Sequence, residues 1–206
     1  MPLHVSRHPL AAHFLAGLRH RETGHEEFRD LARRVVTVLL LEATADLPTA
    51  QGTVATPLAE AHARRVATQV VAVPVLRAGL GILGPVLDLL PEVSVGYLGL
   101  ERHETTHQAR IYYQKLPALA GKIPLLLDPM LATGGSAVQA LDIIAEAGGE
   151  GTRMICVVAA PEGVAAVAEK HPDVHVYTAA LDERLNDRAF IVPGLGDFGD
   201  RLFGTT

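Results

Sequence analysis

Residues 123–141 read IPLLLDPMLATGGSAVQAL, and this stretch decides the fold. Residues 123–127 form an aliphatic run short enough to be a buried strand, and Asp128 follows directly. The small-residue loop 132–136 then opens into a helical pattern of apolar residues at Val138, Leu141 and Ile144. A helix that starts in a glycine loop directs free N–H groups and the positive end of its dipole at one place. The stretch therefore predicts an anion site, most simply one for phosphate.

Strand and helix patterns alternate on both sides of this stretch. The predicted strands are residues 69–76, 93–100, 152–160 and 174–181, and the predicted helices are residues 78–91 and a segment that starts at Pro161. This alternation predicts an α/β fold, a mainly parallel sheet flanked by helices on both faces, in a single domain over residues 1–206.

Charged side chains stand where these predicted strands end. Arg77, Arg102 and Asp128 follow three of the strands, and a fourth strand ends at residues 159–160. Ligands of such sheets bind outside the carboxyl ends of the strands. Arg77 precedes Ala78-Gly79 and is well placed to bind phosphate, whereas Arg102 heads a polar loop, residues 102–110, that we interpret as a lid.

The remaining segments are less strongly patterned. Residues 1–20 form an amphipathic opening, and Thr23 with Glu26 has the spacing of a capping box for a helix that runs to about Ala45. Residues 49–65 are the least regular part and are compatible with a short strand and turn or an edge excursion. Residues 111–117 suggest a short strand, and the glycine-rich tail from Arg184 is expected to be irregular.

Composition restricts the class of protein. The chain has 206 residues, of which 49% are hydrophobic, so it is expected to be globular. Its formal net charge of −5 argues against a dedicated nucleic-acid binder. The single cysteine, Cys156, lies in an apolar run and fits a reducing compartment. No stretch suits a membrane span or a signal peptide, so we expect no membrane partner and a cytoplasmic location.

Three other motifs suggest different functions. Gly79-x-Gly81-x-x-Gly84 satisfies a dinucleotide fingerprint, with Glu101 as the ribose acid, but Pro85 follows directly and the loop at 132–136 would have no role. A nicotinamide enzyme therefore stays an alternative that cofactor titration would test. Asp197-Phe198-Gly199 imitates a kinase motif without the HRD sequence that should precede it, and His103 with His107 is a weak zinc pattern.

Longer stretches resemble the uracil phosphoribosyltransferase family nearly from end to end. The matching pieces are HPL (8–10), LEATADL (41–47), VPVLRAGLG (73–81), YYQKLP (112–117), DPMLATGGS (128–136), VVAAPEG (157–163), HPDVHVYTA (171–179) and IVPGLGDFGDRLFGT (191–205). The central loop indicates only a phosphoribosyl group, and the tail PGLGD-x-GD is what specifies uracil.

The resemblance implies transfer of ribose 5-phosphate from phosphoribosyl diphosphate to uracil, giving UMP and diphosphate, with Mg²⁺. It implies that the donor is bound by Arg77, Arg102, Asp128, Pro129, Met130, Leu131, Ala132, Thr133, Gly134, Gly135, Ser136 and Asp197. Uracil is expected to contact Ile191, Gly196, Asp197 and Phe198, mostly through the backbone. The expected catalytic residues are Asp128, Arg77, Arg102 and Asp197.

The chain departs from the family pattern in places. Asp128-Pro129 stands where related enzymes have two adjacent acids, a change that the uracil branch shares, so Mg²⁺ is expected to be held mainly by donor oxygens and water. Phe198 replaces an expected small residue; it would alter base selectivity only if its ring faced the base. Residues 49–65 look shorter than the family's hairpin. The resemblance also suggests a homodimer or higher homo-oligomer and a possible GTP effector. An RNA-binding regulator with the same fold is a second alternative.

Overall fold

The computed structural model describes residues 1–102 and 109–205, without the side chains of Arg102 and Ala109. Within these residues the helices are α1 (Pro9–Arg19), α2 (His25–Ala43), α3 (Gly84–Leu89), α4 (Gly135–Glu146), α5 (Pro161–Lys170) and α6 (Phe198–Phe203). The strands are β1 (Leu3–Val5), β2 (Thr49–Ala55), β3 (Glu60–Val66), β4 (Gln69–Leu76), β5 (Ser94–Val95), β6 (Tyr97–Arg102), β7 (Ala109–Lys115), β8 (Lys122–Leu127), β9 (Met130–Leu131), β10 (Arg153–Ala159), β11 (His175–Leu181), β12 (Arg184–Leu185) and β13 (Ile191–Val192).

One large sheet organises the molecule. Its strand order is β1-β11-β10-β8-β4-β6-β7, with β5 paired to β4 and β9 paired to β10. The β6–β7 pair is antiparallel, and the other pairs of this sheet are parallel. The predicted α/β class, a mainly parallel sheet flanked by helices, is confirmed.

The sheet separates two apolar cores because side chains alternate along each strand. Val70 and Ala72 of β4 pack in the core that α1, α2 and α3 cover. Val71 and Val73 of the same strand pack on the other face, in the core that α4 and α5 cover. Helices on both faces leave the carboxyl ends of the parallel strands as the place where a site can open.

The predicted capping box at the start of α2 is wrong. Gly24 is the N-cap residue, and no side chain caps the helix. The Thr23 hydroxyl donates instead to the Gly17 carbonyl, at 2.7 Å between oxygens. The same carbonyl also accepts the His20 N–H at 3.2 Å, and its second lone pair takes the hydroxyl that the sequence pattern assigned to α2.

Other predicted boundaries also change. The single helix predicted over residues 78–91 is a 3-10 turn, Ala78–Ile82, followed by the short α3 with Pro85 in its first turn. The strand predicted over residues 93–100 is divided between β5 and β6. Residues 49–65, expected to be the least regular part, lie in a regular antiparallel hairpin whose register runs from Thr49↔Val66 to Ala55↔Glu60.

Candidate active site

A first cavity lies at the carboxyl ends of the central strands. It has a volume of about 180 Å³ and is lined by Arg77 after β4, by Asp128 after β8 and by the start of α4. The predicted loop residues that line it are Met130, Leu131, Ala132, Thr133, Gly134 and Ser136. The strand order brings together Arg77 and the central loop, which are about fifty residues apart in the chain, because β4 pairs with β8.

Gly134 shapes the entrance to α4. It is the N-cap residue and has a φ of +82°. A Cβ there would lie 2.8 Å from Ala166 Cβ and 2.9 Å from the Gly163 carbonyl oxygen. Glycine therefore suits this backbone position, and both Gly134 and Ser136 line the first cavity. The anion site predicted at this loop stays a prediction.

Two residues predicted for this loop do not line the cavity. Pro129 is buried, and its carbonyl accepts a hydrogen bond from the Val157 N–H at 2.8 Å, so its backbone joins the loop to β10. Gly135 is exposed as the first residue of α4.

A second cavity of about 340 Å³ adjoins the first. Ala78, Asp128, Met130 and Ala132 line both cavities, so Asp128 lies where they meet. The rest of the lining comes from the tail and includes the predicted residues Ile191, Gly196, Asp197 and Phe198.

The tail residues are held by α6 and its cap. The Asp197 Oδ1 atom accepts a hydrogen bond from the Asp200 N–H at 2.9 Å and so caps α6. Phe198 is only 1% exposed, and its ring packs edge-on against Phe28 with the centroids 5.2 Å apart. The ring therefore lies in the core beside α2, while Phe198 contributes to the wall of the second cavity.

Five residues of the second cavity were not predicted as site residues from the sequence: Ala78, Gly199 and the consecutive Arg188, Ala189 and Phe190. The last three lie in a turn in which the Asn186 side-chain oxygen accepts from the N–H groups of Arg188 and Phe190, both at 3.0 Å. Ala189 has a φ of +60°. The Asn-Asp pair before them was a turn signal, but nothing local indicated that this turn borders the second cavity.

The two predicted arginines differ in what the structure describes. The Arg77 side chain is 65% exposed, and its guanidinium lies 3.9 Å from Asp200 Oδ1, so it is oriented toward α6. Arg102 is the last residue of β6 and pairs with Ala109, but its side chain lies outside the described part. Most of the expected lid, including His103 and His107, also lies outside the described residues.

Mg²⁺ was predicted to be held mainly by donor oxygens and water, with few protein ligands. In the described ranges, no group of three or more His, Cys, Asp or Glu side chains is arranged to hold a metal ion. Asp128 places one carboxylate at the junction of the cavities. Mg²⁺ commonly binds through one or two carboxylates together with substrate phosphates and water, so these residues fit a Mg²⁺ ion that arrives with a phosphorylated ligand.

The dinucleotide fingerprint has a packing explanation. A Cβ on Gly79 would lie 2.4 Å from the Leu127 carbonyl oxygen, and one on Gly81 would lie 2.0 Å from Leu202 Cδ2. These glycines let the 3-10 turn pack against β8 and α6, so they need no bound pyrophosphate. Separately, none of the helices in the described residues is long and apolar enough to cross a bilayer.

Comparison with known proteins agrees with this geometry. The AQ2163 protein from Aquifex aeolicus has a structure that superposes with a TM-score of 0.94, at 38% identity over 99% of both chains. A hypoxanthine phosphoribosyltransferase from Staphylococcus aureus shares the fold, with a TM-score of 0.53 and 12% identity over 77% of this chain and 75% of that one.

Sequence relatives identify the family. A uracil phosphoribosyltransferase from Symbiobacterium thermophilum is 52% identical over 98% of this chain and 97% of its own. Another from a Roseiflexus species is 50% identical with the same coverage. The family model for uracil phosphoribosyltransferase matches residues 5–205. With nearly every residue inside that match, the chain belongs to the uracil phosphoribosyltransferase family.

Proposed function

We propose that the protein transfers the 5-phosphoribosyl group of phosphoribosyl diphosphate to uracil and releases UMP and diphosphate, a reaction of pyrimidine salvage. The observation that carries this proposal is the junction of two cavities at Asp128. One cavity opens on the glycine loop before α4, and the other is walled by the glycine-rich tail. A reaction that joins a sugar phosphate to a planar base needs two such regions side by side.

The first cavity suits the donor. Loop residues 132–136 lie at the start of α4, where backbone N–H groups and the helix dipole favour the 5-phosphate. Asp128 is assigned to the ribose hydroxyls, since a carboxylate accepts hydrogen bonds from both. Arg77, together with Arg102, is assigned to the diphosphate, because a guanidinium can bind two phosphate oxygens at once.

The second cavity suits the base. Uracil presents alternating carbonyl and N–H groups on its edge, and backbone groups of Ile191, Gly196 and Phe198, which line this cavity, are assigned as their donors and acceptors. Asp197, which lines the second cavity, is assigned to both ligands. The buried Phe198 ring leaves this recognition to backbone atoms.

The chemistry follows from charge separation. The bond between C1 of ribose and the diphosphate breaks as C1 bonds to N1 of uracil, whose proton is lost. Positive charge develops on the sugar ring and negative charge on the leaving diphosphate. Arg77 and Arg102 stabilise the leaving group, and fixed contacts to the 5-phosphate orient the ribose. Bound Mg²⁺ would neutralise part of the diphosphate charge. No side-chain nucleophile is required.

Four further properties belong to this proposal, and each has its own test. Mg²⁺ dependence is tested by chelation with EDTA and restoration with Mg²⁺. Activation by GTP is tested by adding GTP at a low donor concentration. Assembly as a homodimer or higher homo-oligomer is tested by sedimentation. The proposed location is the cytoplasm, where cell fractionation should recover the activity.

An assay with purified protein tests the reaction. The protein is incubated with phosphoribosyl diphosphate, Mg²⁺ and, in parallel, uracil, cytosine, hypoxanthine or orotate, and the nucleotide products are separated by chromatography. We expect a product only in the reaction that contains uracil, namely UMP and an equal amount of diphosphate. Absence of UMP, or a faster reaction with another base, would contradict the proposal.

A further inference from the structure

One ion pair binds both backbone groups of Gly194, within the tail. Arg19, the last residue of α1, contacts both carboxylate oxygens of Asp182, at 2.8 and 2.5 Å. The Gly194 N–H donates to Asp182 Oδ2 at 2.9 Å, and Arg19 Nη1 donates to the Gly194 carbonyl at 2.7 Å. The three residues form a closed ring of charge-assisted hydrogen bonds, which are stronger than neutral ones.

This ring lies in a shielded place. The Asp182 side chain is 4% exposed and the Arg19 side chain is 25% exposed. Gly194 has a φ of +60°, and a Cβ there would lie 2.1 Å from the Ile191 carbonyl oxygen. Water is therefore a poor substitute for either partner, and loss of one charge leaves the other unpaired in a shielded site.

A second guanidinium fixes the next residue. Arg201 donates to the Leu195 carbonyl and to the His20 carbonyl, both at 2.7 Å, and also to the Leu18 carbonyl. Its guanidinium lies 4.5 Å from the centre of the Phe28 ring. The carbonyls of two consecutive residues are thus bound directly before Gly196, which lines the second cavity.

We infer that the Arg19–Asp182 pair is a positioning element for base recognition, acting on the second cavity through Gly194. The inference rests on the proposed function, because it assumes that uracil binds to the backbone of the tail. Such recognition needs donors and acceptors held in place before the base arrives. Neither Arg19 nor Asp182 lines either cavity, so their side chains act on the second cavity through their hydrogen bonds to Gly194 of the tail.

The test compares Arg19→Gln with a matched control, Arg153→Gln. Arg153 likewise binds an aspartate, Asp46 at 2.6 Å, and a backbone carbonyl, that of Ala43, but at the amino end of β10. We expect Arg19→Gln to raise the KM for uracil about tenfold while the KM for phosphoribosyl diphosphate changes less than about twofold. The uracil KM of Arg19→Lys should lie between those of the wild type and Arg19→Gln, since an ammonium group cannot make the paired contacts of a planar guanidinium. Arg153→Gln should change neither KM.

The two KM values distinguish a positioning role of the Arg19–Asp182 pair from a purely structural one. A uracil KM at the wild-type value in Arg19→Gln, or equal rises in both KM values, overturns the inference and indicates a merely structural pair. Wild-type protein that makes no UMP contradicts the proposed function instead. If Arg19→Gln does not fold, as judged by circular dichroism, the isosteric Asp182→Asn carries the same test with the same expected rise.

Discussion

At the scale of single residues, a Phe198 variant distinguishes a structural role of the ring from a role in selecting the base. Its ring is buried against Phe28, so we expect Phe198→Ala to leave a cavity and to lower the free energy of unfolding by about 3–5 kcal/mol. The preference among uracil, 5-methyluracil and cytosine should stay unchanged, because only the ring is removed. Urea titration and competition assays measure the two effects.

Phe203 supplies the control for that variant. It lies in the same helix but is 42% exposed, so Phe203→Ala should change the stability by less than about 0.5 kcal/mol. A change of base preference in Phe198→Ala would mean that the ring does reach the base.

Arg77 is the residue with which the donor site can be tested. We expect Arg77→Ala to raise the KM for phosphoribosyl diphosphate at least about tenfold, since a charge-assisted contact to the diphosphate is lost. Uracil binding should weaken far less. Steady-state kinetics with each substrate varied in turn gives both values, and Arg33→Ala, which removes an exposed arginine paired with Asp88, is the control. An unaffected donor KM and rate would count against the role.

At the scale of elements, the loop before α4 combines a special backbone with a tight contact. Gly134→Ala places a Cβ against Ala166 and Gly163 at a φ of +82°, so we expect lower stability, by about 1–3 kcal/mol, and weaker donor binding. Thermal denaturation and the donor KM are the measurements.

Gly148 offers a matched comparison for that loop. Its φ is +81°, but a Cβ there would have no neighbour within 4 Å, and it lies at the other end of α4. Gly148→Ala should therefore lose stability while keeping the donor KM. A donor KM that rises equally in both variants would show that the loop has no specific part in phosphate binding.

The sequence predicts well those elements that are determined by residues adjacent in the chain. The run before Asp128, the glycines of the loop and the helical spacing after it are adjacent in the chain, so their pattern predicted β8, the first cavity's loop and α4. Arg77 was placed correctly beside this loop because parallel strands end at one edge of the sheet. The structure adds the pairing of β4 with β8 that makes them neighbours.

Elements with a distant cause were not predictable in the same way. Thr23 has the spacing of a helix cap, yet its hydroxyl donates to the Gly17 carbonyl across the turn between α1 and α2, which the capping pattern does not consider. The turn that contains Arg188 borders the second cavity only through the fold. The Arg19–Asp182 pair joins residues that are 163 positions apart, and no spacing rule relates them.

At the scale of the whole molecule, a pair of histidines on β1 and β11, at one edge of the large sheet, predicts that stability depends on pH. His4 of β1 lies with its Nε2 3.2 Å from His175 Nδ1 of β11 and stacks on Tyr177, with ring centroids 4.4 Å apart. Burial, and next the charge of His175, lower the pKa of His4 from 6.5, while Asp46 acts in the opposite direction.

A lowered histidine pKa means that the unfolded chain takes up the proton first. The free energy of unfolding should therefore fall as the pH drops below about 6.5 and continue to fall until the folded pKa is passed. His4→Gln should reduce this slope, as measured by urea titrations between pH 7.5 and 5. An unchanged slope would contradict the assignment to His4.

The second cavity depends on contacts between distant parts of the chain. Arg29 of α2 donates to the Leu202 carbonyl of α6 at 2.9 Å, and the Arg201 carbonyl lies 2.8 Å from His25 Nδ1. The helical layer of α1 and α2 thus supports the tail from behind, while the first cavity is built from the centre of the chain. The tail half of the candidate site thus depends on α1 and α2, and it shares the wall formed by Ala78, Asp128, Met130 and Ala132 with the first cavity.

The shared wall at Asp128 has a consequence for release. A molecule that contains a phosphate and a pyrimidine in one covalent frame meets both cavities while losing its translational and rotational freedom only once. The nucleotide product is such a molecule, whereas uracil alone meets only the second cavity. We therefore expect the nucleotide product to leave the site more slowly than uracil does.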